Sequence, residues 1–247
     1  MEKNLFSKNE IVTAAIVLAL GLFLSAMGAT YTFYLIRTFD NTLSTTGSAK
    51  QRVTSDSVKW STSISRTVTE GNLKKGYADL VDDLAIVKKF LESKGILESE
   101  ITTTPIFTNE IYKYNPSGNA GPREYSLLQN ITINSNDIVK ITNVAKNTQD
   151  IINRGVFFSN QSPEYYYSKL AELRVSLLGE AVKDAKARAE MLAKSGGRTI
   201  GAMKAASSGV VQVLAPNSIE VSDYGQYDTQ SIEKEVMVTA RTSFVVR

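Results

Sequence analysis

Hydrophobic and polar positions follow two unlike regimes along this chain. From Ile11 to Ile36, IVTAAIVLALGLFLSAMGATYTFYLI, no Asp, Glu, Lys, Arg, Asn or Gln interrupts the apolar run. At about 1.5 Å of rise per residue a helix of that length reaches about 39 Å, more than a hydrocarbon core of about 30 Å. The stretch therefore predicts a membrane-crossing helix over 11–37, preceded by a polar tail at 1–10 and followed by a polar tether at 38–50. No comparably apolar stretch occurs later, so residues 51–247 read as one water-soluble body.

In that body the apolar positions become periodic. From Val58 the even positions Val58, Trp60, Thr62, Ile64 and Val68 alternate with Lys59, Ser61, Ser63, Ser65 and Thr67, which predicts a strand with one buried face and Trp60 as a core anchor. Over 72–94 the period shifts to three and four, through Leu73, Tyr77, Leu80, Leu84, Val87 and Leu91, with Gly95 as a stop; this predicts an amphipathic helix on a sheet. Its neighbouring carboxylates Asp82 and Asp83 point about 100° apart and read as solvated surface groups. Residues 101–113 and 123–134 predict a hairpin around NPSGNAGP, with Tyr125, Leu127, Ile131 and Ile133 on one face.

Asn136 then suits the cap of a second helix with Ile138, Ile141, Ala145 and Ile152 inward, ended by Gly155, before a strand at 156–158. Ser162 and Pro163 predict the start of the longest soluble helix, 163–195, with Leu170, Leu173, Leu177, Ala181, Ala185, Ala189 and Leu192 on its inner line. That line runs from large side chains to small, so its second half can lie close to a neighbouring backbone. Short strands at 199–206 and 209–214, a polar loop of about 16 residues from Ala215, and a strand from Ile232 to Arg247 complete the chain. The expected fold is α+β: an antiparallel sheet with helices packed on one face, in the split βαβ, ferredoxin-like order of strand, helix, strand, strand, helix, strand, extended by a long third helix and C-terminal strands.

Flanking residues refine the reading of the apolar helix. Ser25, Ala26, Gly28 and Ala29 resemble a signal cleavage site, but the run continues well beyond a signal core of about 7–15 residues, which favours an uncleaved signal anchor. Ile11, Leu18, Leu22, Phe23, Leu24, Leu35 and Ile36 would face lipid, Tyr31, Phe33 and Tyr34 would form an interfacial belt, and Arg37 would mark the boundary. Lys3 and Lys8 precede the helix and only Arg37 follows it closely, so the charge bias favours a cytoplasmic N-terminus and a single-pass protein of the bacterial inner membrane with its main domain periplasmic.

Composition removes several chemistries. The chain has no His and no Cys, which excludes a histidine general base, a Ser-His-Asp triad, thiol catalysis and zinc-thiolate ligation. Neither a Walker loop nor a G-x-G-x-x-G fingerprint occurs. Ser231-Ile232-Glu233-Lys234 has the serine-lysine spacing of some acyl-transfer enzymes, but those place it at a helix start and here it enters a strand, so it reads as chance. No pair of carboxylates stands out for glycoside-type hydrolysis. The reading is therefore of a protein that is not an enzyme, with no catalytic, cofactor-binding or metal-binding residues, and a net charge of +3 gives no case for nucleic acid.

The succession TTGSAKQRVTSDSVKW, LESKGILESEITTTPIF, REYSLLQNITINSNDIVKI, LLGEAVKDAKARAEMLAKSGG and EKEVMVTARTSFVV resembles the SIMPL-domain family over roughly residues 44–247. The most specific piece is AVKDAKARAEMLAKSGG, and the chain departs from the common pattern at TSDSVKW, where many members carry a proline before the aspartate. The resemblance implies an exported cell-envelope domain, self-association into large rings or cage-like particles, and a link to oxidative-stress tolerance; it implies no active site. Two partner classes follow as expectations, a high-order homo-oligomer beside membrane lipid, and an envelope protein or peptide captured by exposed tyrosines. Tyr224 and Tyr227 in the loop 215–231, with Tyr165, Tyr166 and Tyr167, are the candidate partner surface because tyrosine supplies rigid amphipathic contact area. The alternative for the triplet is that it packs the first turn of the long helix.

Overall fold

A computed structural model describes residues 8–39, 41–112, 122–218, 222 and 224–247. The chain forms two compact units: residues 1–49, 178–209 and 239–247 make the first, and 50–177 with 210–238 the second.

The second unit holds the expected ferredoxin-like core. Strand β2 (Ser57–Thr69) leads into α2 (Leu73–Ser93), then β3 (Ile101–Thr103), β4 (Phe107–Ile111) and β5 (Glu124–Ser135). Two short helices follow, α3 (Ile138–Lys146) and α4 (Gln149–Asn153), then β6 (Phe158–Asn160) and β7 (Glu164–Tyr166). The sheet order is β3-β5-β2-β6, with β4 also on β5 and β7 also on β2, and every pair is antiparallel. The register Trp60↔Ile133, Thr62↔Ile131 and Arg66↔Leu127 puts the even positions of β2 and the odd positions of β5 on one face. There Val58, Trp60, Ile64, Leu127, Ile131 and Ile133 meet Leu80, Val87 and Leu91 of α2 and Ile141 of α3, all fully buried. At about 1.5–3 kcal/mol for each large apolar side chain withdrawn from water, this layer is the main stabilising feature of the unit. Trp60 is the core anchor expected; its indole Nε1 donates to Asn160 Oδ1 at 2.8 Å and to the Gln161 carbonyl at 3.1 Å.

Several elements differ from the expectation. The hairpin's first arm is broken at Thr104-Pro105-Ile106 into β3 and β4, because proline supplies no ladder N–H; most of the loop NPSGNAGP lies outside the described residues. The cap of α3 is Asp137, whose carboxylate accepts from the Lys140 N–H at 2.9 Å, not Asn136. The helix stops at Asn147 and restarts at Gln149, and this break shifts the phase so that Ile151 is buried and Ile152 exposed. Ser162-Pro163 does not start a helix. Residues 164–166 are β7, bonded to Ser57–Lys59, and the long helix α5 runs from Leu170 to Ser195.

The first unit contains α1 (Lys8–Phe39), the opening of β1 (Thr42–Thr54), the second half of α5, the first part of β8 (Ile200–Leu214) and the end of β10 (Glu233–Val246), with β10 between β1 and β8. The stretch read as a polar tether is thus a strand from Thr42 onward. Within that stretch the buried inward positions are Thr45 and Gly47, with Leu43 and Ala49 half-buried on the same face, so the alternation carried a weak hydrophobic signal. A Cβ on Gly47 would overlap the backbone of Ala181 and Ala185, which realises the close approach that the small line on α5 allows. The buried positions Ala181, Ala185, Ala189 and Ala193 step by four, leaving Leu192 exposed. One continuous β8 replaces the two short strands expected, and in the second unit β9 (Gln226–Tyr227) pairs with it in parallel at Gln212 and Val213.

Candidate functional site

Every described side chain of α1 from Asn9 to Ile36 is exposed, with no part of the segment covered by the chain itself. Those 28 residues span about 42 Å, long and apolar enough to cross a bilayer and, being near the N-terminus, also to serve as a signal sequence. The surface is apolar on all sides, including Leu18, Leu22, Phe23, Leu24, Tyr31, Phe33 and Tyr34, unlike the one-sided stripe of a helix lying on a core. Its hydroxyls are turned back onto the helix: Thr13 donates to Asn9 O at 2.8 Å, Thr30 to Ala26 O at 2.7 Å, Thr32 to Gly28 O at 2.9 Å, and Ser25 to Gly21 O. Such back-bonding satisfies a hydroxyl without water. Arg37 belongs to the helix backbone, but its side chain lies outside the described residues.

Only positions 40 and 41 separate α1 from β1. Asn41 is already in the fold, its carbonyl accepting from Val246 N–H at 2.9 Å. The three Cα steps from Phe39 to Thr42 cover at most about 11 Å, so the sheet begins without slack behind the helix.

The five tyrosines do not form one surface. Tyr165 is 7% exposed, joins the core, and its hydroxyl meets Thr142 Oγ1 at 2.9 Å. Tyr166 and Tyr227 lie with ring centroids 5.8 Å apart, and the Tyr227 hydroxyl accepts from Tyr167 N–H at 3.2 Å. Burial and the bond to Glu164 raise the Tyr166 phenol above its ordinary range. Tyr224 is 96% exposed. The triplet thus sits in a strand and its continuation, fixed partly by Asp56, whose carboxylate accepts from Ser168 N–H and Oγ at 2.7 Å each.

The serine-lysine pair is a structural clasp. Lys234 is fully buried, and its Nζ donates to Asp228 O at 2.5 Å and Ser231 O at 2.7 Å, with the Tyr227 ring 5.7 Å away. Burial lowers its pKa despite the nearby Asp228 charge. Ser231 Oγ donates to the Asp228 carboxylate, not to the amine. A lysine bonded to its partner's carbonyl and closed to solvent is not placed to take that partner's hydroxyl proton.

A groove of about 670 Å³ lies along the end of β2 and the start of α2, lined by Arg66, Val68, Lys75, Asp79 and Phe157. Its charges are paired internally. Arg66 grips Asp83 through Nε at 2.5 Å and Nη2 at 2.8 Å, and Lys75 Nζ meets Asp79 at 2.6 Å. Asp83 is therefore buried and paired, in contrast to the solvated role expected of it. Among the described residues no three acidic side chains converge as a metal site would require.

A family profile described as "Protein of unknown function (DUF541)", SIMPL, matches residues 43–245. The chain belongs to the SIMPL family. The match opens within β1 and closes within β10, so the strand once read as a tether is part of the SIMPL domain and the apolar helix lies outside the match. No curated protein matches the chain. Sequence reasoning missed two features of this SIMPL domain: the Arg66–Asp83 pair, signalled only by an arginine on the inward side of a strand, and the exposed basic residues Lys194, Arg198 and Arg247 at the ends of α5 and β10. KSGG before Arg198 signalled the second. Arg198 N–H bonds Ala193 O at 2.8 Å and Gly197 N–H bonds Lys194 O at 3.0 Å, with Gly197 at φ +70°, a Schellman termination.

Proposed function

We propose that this protein is a single-pass, membrane-anchored cell-envelope protein that acts by assembling with copies of itself at the bilayer surface, not by catalysis. One observation carries the reading: an uncovered apolar helix runs within two residues of the sheet. Holding many copies on one surface at fixed height raises their effective concentration, so weak lateral contacts suffice. The first unit offers such a contact, since Ala202–Ser208 of β8 are exposed on both faces and no strand pairs their outer side among the described residues. An open edge of this kind recruits further strands. The charge bias favours a domain outside the cytoplasm, and the family resemblance implies a link to stress tolerance.

Mass measurement of the full chain in mild detergent or nanodiscs at micromolar concentration tests the reading, with a discrete oligomer expected; monomer alone removes it. Thr199 and Arg247 exchange both backbone bonds at 2.9 Å, so by strand alternation the Ala202 N–H points away from β10. Ala202→Pro should then lower the oligomer fraction by about ten-fold or more with little change in Tm.

A second reading rests on the full exposure of Tyr224, which suits capture of an envelope protein or peptide. An unchanged set of crosslinked partners in Tyr224→Ser would discard it.

A further inference from the structure

We infer that the end of the first unit nearest the exit of α1 is a docking surface for anionic phospholipid headgroups. The inference rests on the anchor reading above. Three strand ends and one helix end meet there. Asn41 at the start of β1 is bonded to Val246 of β10, Arg247 is bonded to Thr199 ahead of β8, and the Schellman turn bonds Gly197 and Arg198, next to Thr199, to the end of α5.

The same end carries Lys194, Arg198 and Arg247, all exposed, and none forms an ion pair among the described residues. Arg247 lies across β8, its Nε 3.5 Å from where a Cβ on Gly201 would stand. Acidic side chains are absent from the segments that build this end: no Asp or Glu occurs from Met191 to Val211, from Val236 to Arg247, or from Asn41 to Arg52. The nearest acidic positions in sequence are Asp40 and Glu190, and Glu190 pairs with Lys186 at 3.8 Å.

Compensation of the α5 dipole accounts for Lys194 and Arg198. It does not account for Arg247, which comes from a different element. Covalent reach supplies the membrane. The apolar part of α1 fills the hydrocarbon and part of the headgroup layer, and β1 begins at most about 11 Å beyond Phe39. That distance is about one screening length at physiological salt. A cation held near an anionic surface favours the docked state by about five-fold.

The chain has no cysteine, so a single environment-sensitive fluorophore on Ser195→Cys reports this end alone. The full chain is placed in nanodiscs of phosphatidylcholine, and of phosphatidylcholine with about a third phosphatidylglycerol. Blue-shifted emission is expected only in the anionic discs, reversed by high salt and abolished by Arg198→Glu with Arg247→Glu at unchanged Tm. Equal emission in both discs, or a shift that survives charge reversal, overturns the inference. The same shift from soluble glycerol phosphate in detergent also overturns it, because the site would then be one for small anions. Failure of the chain to enter nanodiscs at all would instead sink the anchor reading.

Discussion

Arg66 and Asp83 show how much one residue pair decides in the second unit. The carboxylate is buried while the guanidinium reaches partly into solvent, so the pair lies between a surface bridge, worth under about 1 kcal/mol, and a buried one, whose breaking costs about 3–5 kcal/mol. Asp83→Ala should lower stability by about 2–3 kcal/mol, whereas Asp82→Ala should change it by less than about 0.5 kcal/mol; urea unfolding of both variants checks the contrast. Asp228 makes a second case. Burial alone would raise its pKa, but the Ser231 hydroxyl, the N–H groups of Gln230 and Ser231, and the Lys234 charge hold it below the ordinary carboxylate value. A lowered folded-state pKa means stability present above the unfolded value of about 3.9 and lost as pH falls through the folded value. Asp228→Asn should flatten the loss of Tm below about pH 4. Neither role was legible beforehand, since adjacent carboxylates and a loop aspartate carry no signal of the partner that the fold brings to them.

Elements whose buried face is built from large apolar residues were legible, and those built from small or polar residues were not. Strand β2, helix α2 and strand β5 announce themselves through Val58, Trp60 and Ile64, through Leu80, Val87 and Leu91, and through Leu127, Ile131 and Ile133. Strand β1 buries Thr45, Gly47 and, near its far end, Val53, so a hydrophobic count caught too little of its alternation. Ser162-Pro163 imitates a helix start, and the pairing of Glu164–Tyr166 with Ser57–Lys59 overrides it. The glycines test this account at the same scale. Gly47→Ala drives a methyl into the α5 backbone and should cost about 2–3 kcal/mol or more. Gly179→Ala, within α5 with open space around it, should stabilise by about 0.5–1 kcal/mol. Thermal melts of the two variants should move in opposite directions.

For the whole molecule, the ferredoxin-like order and the long apolar helix could both be read from periodicity, because each depends on many residues agreeing. The direct passage of the helix into β1 could not, because the opening of β1 buries Thr45 and Gly47 and leaves Leu43 only half-buried. That junction makes the helix more than an address: cutting it away should leave a domain that folds but loses its surface concentration and with it assembly. Removing residues 1–39 should leave Tm within a few degrees and shift the mass distribution toward monomer at micromolar concentration.

The most direct measurement is the location and N-terminal boundary of the protein in cells, read together by membrane fractionation with an alkaline wash and by intact mass. The account predicts washed membranes holding a form that retains residues 8–36. A soluble form beginning near residue 30 would contradict it.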